Sequence, residues 1–215
     1  MNADNIANSR RQPAQERSKK RVESILGAAK ALIAEKGCTR LKIHEIANRA
    51  DVTAASIYQY FPSKNSITQE LAKLTLEESF ERMQNNLPEA HSKEEIYEVV
   101  RNLIEQWYQM HINDPALLDV MVSVSADKAM QELELRYSRK ISALIFETLK
   151  PFYDDMHWMA LSEIAFLLAH LSLAAVRMAL SVGRDEGRSL MDRFKYIISV
   201  DYVDSMLDKK VGARD

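Results

Sequence analysis

The sequence predicts an all-α fold: a small N-terminal unit of three helices containing a helix-turn-helix, followed by a larger C-terminal helical bundle. Three observations carry this. Apolar residues recur at helical spacing in almost every segment, where strands would alternate. Glycine and proline are scarce, five each in 215 residues, and Pro13, Pro62, Pro88, Pro115 and Pro151 fall between periodic segments, where a missing N–H does least harm. Charge is polarised: residues 1–66 carry 12 Lys and Arg against 6 Asp and Glu, a balance of +6, while the remainder has 17 against 25, a balance of −8, inside a net charge of −2. A basic small end suits phosphate, and an acidic remainder discourages the wrong end from binding it. The length allows a small domain plus a larger core.

Residues 1–17, rich in Asn, Gln, Arg and Ser and without apolar periodicity, are expected to form a disordered basic arm. Its Arg10, Arg11 and Arg17 can track phosphates or enter a minor groove, or do nothing. The helix-turn-helix domain is expected over 18–66. Its first helix runs from about Ser18 to Lys36, with Val22, Ile25, Leu26, Ala29, Leu32 and Ile33 on one face and Gly37 as terminator. Within Ile43 to Lys64, Ile43, Ile46, Ala47 and Ala50 share a second helical face, Asp51 and Val52 make a turn, and Thr53 is a suitable N-cap. The next helix continues to Tyr60, with Ile57 and Phe61 facing inward. Ala54, Ala55, Ser56, Tyr58, Gln59 and Tyr60 are then left largely on or near the outer face, where a recognition helix meets a major groove and its phosphates, and with Thr53 they are candidate DNA contacts. Lys64 begins the following helix, whose free N–H groups and the ammonium both favour a phosphate. The bland alternative is a helical hairpin with an idle polar face.

The same residues resemble the TetR family of transcriptional regulators. Gly37, Ile43, Ile46, Ala47, Ala50, Val52, Ile57, Tyr58, Tyr60, Phe61, Ser63 and Lys64 carry the resemblance, within about sixty N-terminal residues. It implies a dimeric regulator, most simply a repressor, that binds palindromic operator DNA and is released by a small molecule in the C-terminal domain. It also implies that Lys64 touches the DNA backbone. Four residues depart from the pattern: Lys42 where a capping Thr or Ser is usual, Asp51 for the turn Gly, Ala55 for a Gly and Ser56 for a Thr. Lys42, Ala55 and Ser56 join the candidate DNA contacts.

The regulatory and dimerisation domain is expected over 67–215. A linking helix runs to about Asn85, with Ile67, Leu71, Leu74 and Phe80 as apolar contacts. Ser92 to Glu95 opens the next helix as a capping box, and Ile96, Val99, Val100, Leu103, Ile104, Trp107, Tyr108 and His111 follow its apolar rule. Asp114 and Pro115 start a short helix to Val124, and another spans about Ala126 to Leu149. Two long helices finish the chain, about Asp155 to Val182 and Ser189 to Lys209, with apolar residues on more than one side. Small Ala165, Ala169 and Ser172 on the first, with Phe194, Ile198 and Tyr202 on the second, are the candidate dimer interface, since a two-fold four-helix bundle covers both helices. Internal burial is the alternative. Trp107, Tyr108, His111, Met121, Phe146, Phe166 and His170 are candidates to line a ligand cavity, beside the plainer reading as core. Glu163, His170 and Arg177 lie on one line of an apolar helix and need partners from a ligand, a second subunit or water.

Enzyme chemistry has little to stand on: the sequence lacks a Gly-rich phosphate loop, a G-x-S-x-G elbow and a His-x-x-x-His pair, and its five histidines are dispersed. No cofactor is expected. The single Cys38 offers neither a disulfide nor a thiolate cluster, the N-terminus is polar, and the apolar run 164–176 is too short for a bilayer, so a cytoplasmic protein without a membrane partner is expected. The competing function classes are a helical small-molecule-binding protein or enzyme with an incidental helix-turn-helix, and a nucleoid-type DNA-binding protein. Sequence-selective, salt-sensitive DNA binding separates them.

Overall fold

The computed structural model describes residues 3–87 and 90–208, with side chains from Gln15 onward. Among these residues the regular structure is all helical: α1 (Ala3–Lys36), α2 (Ile43–Arg49), α3 (Ala54–Tyr58), α4 (Lys64–Asn86), α5 (Lys93–Asn113), α6 (Pro115–Val124), α7 (Lys128–Leu149), α8 (Trp158–Ser181), α9 (Arg184–Tyr196) and α10 (Val200–Asp208), with short 3-10 turns between some of them. The chain divides into two compact units: Met1–Ala72 with Pro115–Ser123, and Lys73–Asp114 with Val124–Asp215.

In the first unit, Ile25, Ala29, Ile33, Leu41, Ile46 and Ile57 are buried in one core beneath α1, α2 and α3. Residues 3–17 belong to α1, so the disordered arm expected there is replaced by helical backbone, and Pro13 lies inside a helix. A polar segment without periodicity is equally what a solvated helix looks like, and extending a helix already nucleated is far easier than starting one. The side chains of Arg10 and Arg11 lie outside the described residues, as does the end of the last helix near Lys209. Gly37 ends α1 at φ 82°, a conformation that suits glycine. This unit is also larger than residues 18–66, because α6 joins it. Ala116 and Val120 enter its core, and the Asp119 carboxylate accepts the backbone N–H of Cys38.

The second unit is a bundle in which α8 packs against both α7 and α9. Its core gathers Ile96, Tyr108, Leu149, Leu161, Val176 and Met191. Helix α5 opens as expected, with the Ser92 hydroxyl accepting from Glu95 N–H at 3.2 Å and the Glu95 carboxylate accepting from His91 N–H at 2.7 Å. The last predicted helix is two. Arg101 donates to the Ile198 carbonyl at 2.7 Å, and the Ser199 hydroxyl accepts from Tyr202 N–H at 3.3 Å, so the chain breaks and restarts at α10. Helix α9 also begins earlier, at Arg184, with Gly183 before it.

Two contacts hold α9 in place. Gly187 is buried, and a Cβ there would lie 2.2 Å from the Ala179 carbonyl oxygen and 2.9 Å from the Tyr108 hydroxyl. Only hydrogen fits. Beside it, Glu105 on α5 accepts from Arg188 at 2.5 Å, Lys195 at 2.6 Å and Gln109 at 2.8 Å. Burial pushes the Glu105 carboxyl up, but those donors outweigh it and hold it down at about 2.

Replacing Gly187 with Ala is expected to destabilise the second unit by about 1–3 kcal/mol, as overpacking does, read as a lowered Tm by circular dichroism. Glu105→Gln tests the ion cluster. Because the folded-state pKa is depressed below the ordinary 4.5, the charge contributes stability above that value and loses it as pH falls toward about 2. The variant should therefore be less stable than wild type at pH 7, with the gap closing across that acidic window in urea titrations.

Candidate functional site

The helix-turn-helix closes on backbone geometry. Helix α2 ends at Arg49, Ala50 N–H bonds the Ile46 carbonyl at 2.9 Å, and Val52 N–H reaches back to the Ala47 carbonyl at 3.0 Å. Asp51 between them takes φ 52°, a left-handed conformation that Asp tolerates better than most side chains. This is a Schellman-type stop with Asp where Gly is usual. Thr53 then caps α3, its hydroxyl accepting from Ser56 N–H at 3.1 Å. Lys42 holds the N-cap position of α2 without a side-chain cap bond, as its lack of an acceptor requires.

Helix α3 is shorter than the predicted 53–60 segment. After Tyr58 the chain turns, and the N–H groups of Tyr60 and Phe61 both reach the Ile57 carbonyl at 2.9 Å. Two of the nine candidate contacts consequently point elsewhere. Ser56 is buried and its hydroxyl faces Arg21 of α1 at 3.4 Å. Tyr60 packs on the core, its hydroxyl accepting from Ser18 at 3.2 Å. Lys42, Thr53, Ala55, Tyr58 and Gln59 remain exposed and Ala54 half-buried. Tyr58 has 55% of its surface open, high for an aromatic. Lys64 donates to the Thr39 carbonyl at 3.1 Å, at the start of α4, where Ser63 and Ser66 cap each other's N–H groups at 3.2 Å.

Lys42, His44, Ala54, Tyr58, Ser63 and Lys64 line one open groove of the first unit. His44 was not among the expected residues. Its signal is exposure at the second position of α2, beside Lys42, where its ring nitrogens can hydrogen-bond a phosphate or a base edge.

The second unit contains a cavity of about 80 Å³, walled by α4, α5, α7, α8 and α10. Of the seven expected ligand residues only Trp107 lines it. Tyr108 is core, stacked under Arg188. His111 is buried, donates Nδ1–H to the Trp107 carbonyl at 2.9 Å, and burial holds its pKa below the ordinary histidine value. Met121 belongs to the first unit. Phe146 packs on the core under the Lys150 ammonium, and Phe166 sits between His170 and Arg139. His170 pairs with the Ser138 hydroxyl at 3.1 Å, and Arg177 with the buried Glu134 at 2.7 Å, while Glu163 is exposed. Two of that polar line are thus satisfied across the packing of α7 on α8. Among the described residues no group of three His, Cys, Asp or Glu side chains is placed to hold a metal.

Four of the six expected dimer contacts are inside instead. Ala165, Ala169, Ser172 and Ile198 line the cavity. Phe194 packs against the core and Tyr202 is exposed. The uncovered apolar face of α8 lies on the opposite side, at Met159, Leu167, Leu171 and Met178, at steps of eight, four and seven residues. Together with its preceding turn this helix forms a 27-residue segment, Asp155–Ser181, long and apolar enough to meet the composition of a membrane span, longer than the run read from sequence.

Comparison with known proteins agrees with this architecture. Residues 25–71 match the model of bacterial regulatory proteins of the tetR family, and residues 94–204 match a tetracyclin repressor-like C-terminal domain. YvdT of Bacillus subtilis, described as an uncharacterized HTH-type transcriptional regulator, is 27% identical over 116 residues, which is 54% of this chain and 58% of that protein. The structure is similar to that of FadR from Bacillus subtilis in complex with stearoyl-CoA, with a TM-score of 0.61 at 18% identity, covering 83% of this chain and 97% of FadR. FadR from Thermus thermophilus in complex with lauroyl-CoA gives a TM-score of 0.61 at 18% identity, over 90% and 99%. At these identities the likeness shows the fold, and the two matched models together span most of the chain. The chain belongs to the TetR family of bacterial transcriptional regulators.

Proposed function

We propose that this regulator binds a two-fold operator as a homodimer, acts as a repressor, and is released when a small apolar molecule occupies the cavity of its second unit. The observation that carries the reading is the groove of the first unit. There Lys42, His44, Tyr58 and Lys64 converge beside exposed Gln59, giving phosphate-binding cations around hydrogen-bonding groups able to read base edges. Ser56 and Tyr60 position this face from behind. The dimer rests on the open stripe of α8, because a monomer leaving Met159, Leu167, Leu171 and Met178 in water would lose the burial that a second copy provides.

Helix α4 is the physical link. Its first residue is Lys64 of the groove, and its later residues Leu76, Ser79, Arg82 and Met83 line the cavity. A ligand that fits better in one position of α4 than another shifts the population of the two, by no more than its differential affinity for them. The acyl-CoA complexes of the two FadR relatives support an apolar occupant.

Electrophoretic shift against genomic fragments tests the reading: salt-sensitive, sequence-selective complexes are expected, and their absence at low salt would leave a small-molecule-binding protein instead. Tyr58→Ala should cost about 1–3 kcal/mol of operator affinity with helicity intact, whereas Ser56→Ala, turned inward, should cost far less. Equal losses would refute the placement of the face. Leu167→Glu with Met178→Glu should give a folded monomer by sedimentation, with operator affinity reduced at least tenfold by the loss of the second half-site; a dimer that persists would refute the α8 interface.

A further inference from the structure

The cavity is long and polarised. Its walls follow α7 from Tyr137 to Leu149 and α8 from Leu161 to Leu173, about 18 Å of each helix at 1.5 Å per residue, around a volume of about 80 Å³. An extended chain lying along such walls makes apolar contact over its whole length. One end, at Leu149, Leu161, Ile198 and Val203, is aliphatic. The other end holds Trp107, Ser138 and Ser172. Two of these polar groups are already bonded. Ser138 donates to the Glu134 carbonyl at 2.9 Å and Ser172 to the Leu168 carbonyl at 2.8 Å. The indole N–H of Trp107 is buried with no hydrogen-bond partner, the one such side-chain atom among the described residues. A buried donor left unmade carries a free-energy penalty that a ligand acceptor would remove.

Resting on the ligand-site reading above, we infer that the effector is an unbranched apolar chain ending in a neutral hydrogen-bond acceptor, a ketone, ester or thioester carbonyl. The acceptor takes the Trp107 indole N–H, and the tail runs toward Ile198 and Val203. Trp107 is therefore the specificity-determining residue of the cavity: an alkyl chain gains by burial alone, whereas the carbonyl gains burial and the bond. A carboxylate is disfavoured, because the two arginines near this end already have acidic partners. Arg177 is bound to Glu134 and Arg82 to Glu78.

The test uses the full chain with 2-nonanone and, as the chain of similar length without the carbonyl, 1-nonene. Calorimetric titration should show 2-nonanone binding wild type about tenfold more tightly than Trp107→Phe, with 1-nonene binding the two alike. Amide and indole NMR gives a readout without substitution. The chain has two tryptophans, and the indole of Trp158 already donates to the Tyr153 carbonyl at 3.0 Å. The Trp107 indole resonance should move with the ketone and hardly with the alkene, and that of Trp158 with neither. Intermolecular NOEs from the terminal methyl of the ketone should fall on Ile198 and Val203. A ketone that binds both proteins equally, or leaves the Trp107 indole unmoved, overturns the anchor while leaving the cavity as a ligand site; NOEs at the reverse end overturn the orientation. If wild type binds neither probe, the ligand-site reading fails and this inference with it.

Discussion

The structure of the second unit depends on α8 being apolar on two faces. One face meets α7 and α9, buries Leu161, Val176 and Ala179, and supplies wall residues to the cavity. The other presents Met159, Leu167, Leu171 and Met178 to the surface. A helix of this kind is stable in water only when both sides are covered. The inner side is fixed in register by polar contacts: Arg177 with Glu134, His170 with Ser138, and Ala179 against the backbone of Gly187. These contacts set which side of α8 faces inward and so which side carries the outer stripe, for which a second copy of the chain is the cover we propose.

Much of this was legible in the sequence wherever the determinant is local. Gly37 as the end of α1, the turn at Asp51, the Thr53 cap and the Ser92 capping box are each a residue type acting within a few positions. The apolar face of α5 was legible for the same reason, since strong periodicity fixes its own phase. What was not legible depends on phase or on distance in sequence. A five-residue α3 is too short for its pattern to say that Ser56 turns inward toward Arg21. On α8 almost every position is apolar or small, so Ala165, Ala169 and Ser172 read as outward when they line the cavity. The transfer of α6 to the first unit rests on Asp119 meeting Cys38, 81 residues apart, and no periodicity reports that. The polar N-terminal residues read as an arm because composition alone cannot tell a solvated helix from coil.

The function we propose draws on two surfaces among the described residues. In the first unit the surface is a groove whose cations and hydrogen-bonding groups face outward, held from behind by Ser56 and Tyr60. In the second it is a cavity with one unmet indole N–H. Helix α4 contributes Lys64 to the first and Leu76, Ser79, Arg82 and Met83 to the second. A regulator needs little more than this: a reader, a ligand site, and one rigid element whose position both can bias.

Dimeric reading of DNA is the claim on which the others rest, and nuclease protection on the DNA that the purified protein selects from genomic fragments tests it most directly. Two symmetric half-sites should be protected, with centres about 34–36 Å apart along the duplex or a multiple of it, as two-fold recognition helices in successive major grooves require. A single asymmetric half-site, or protection without sequence preference, would contradict the two-fold arrangement built on α8.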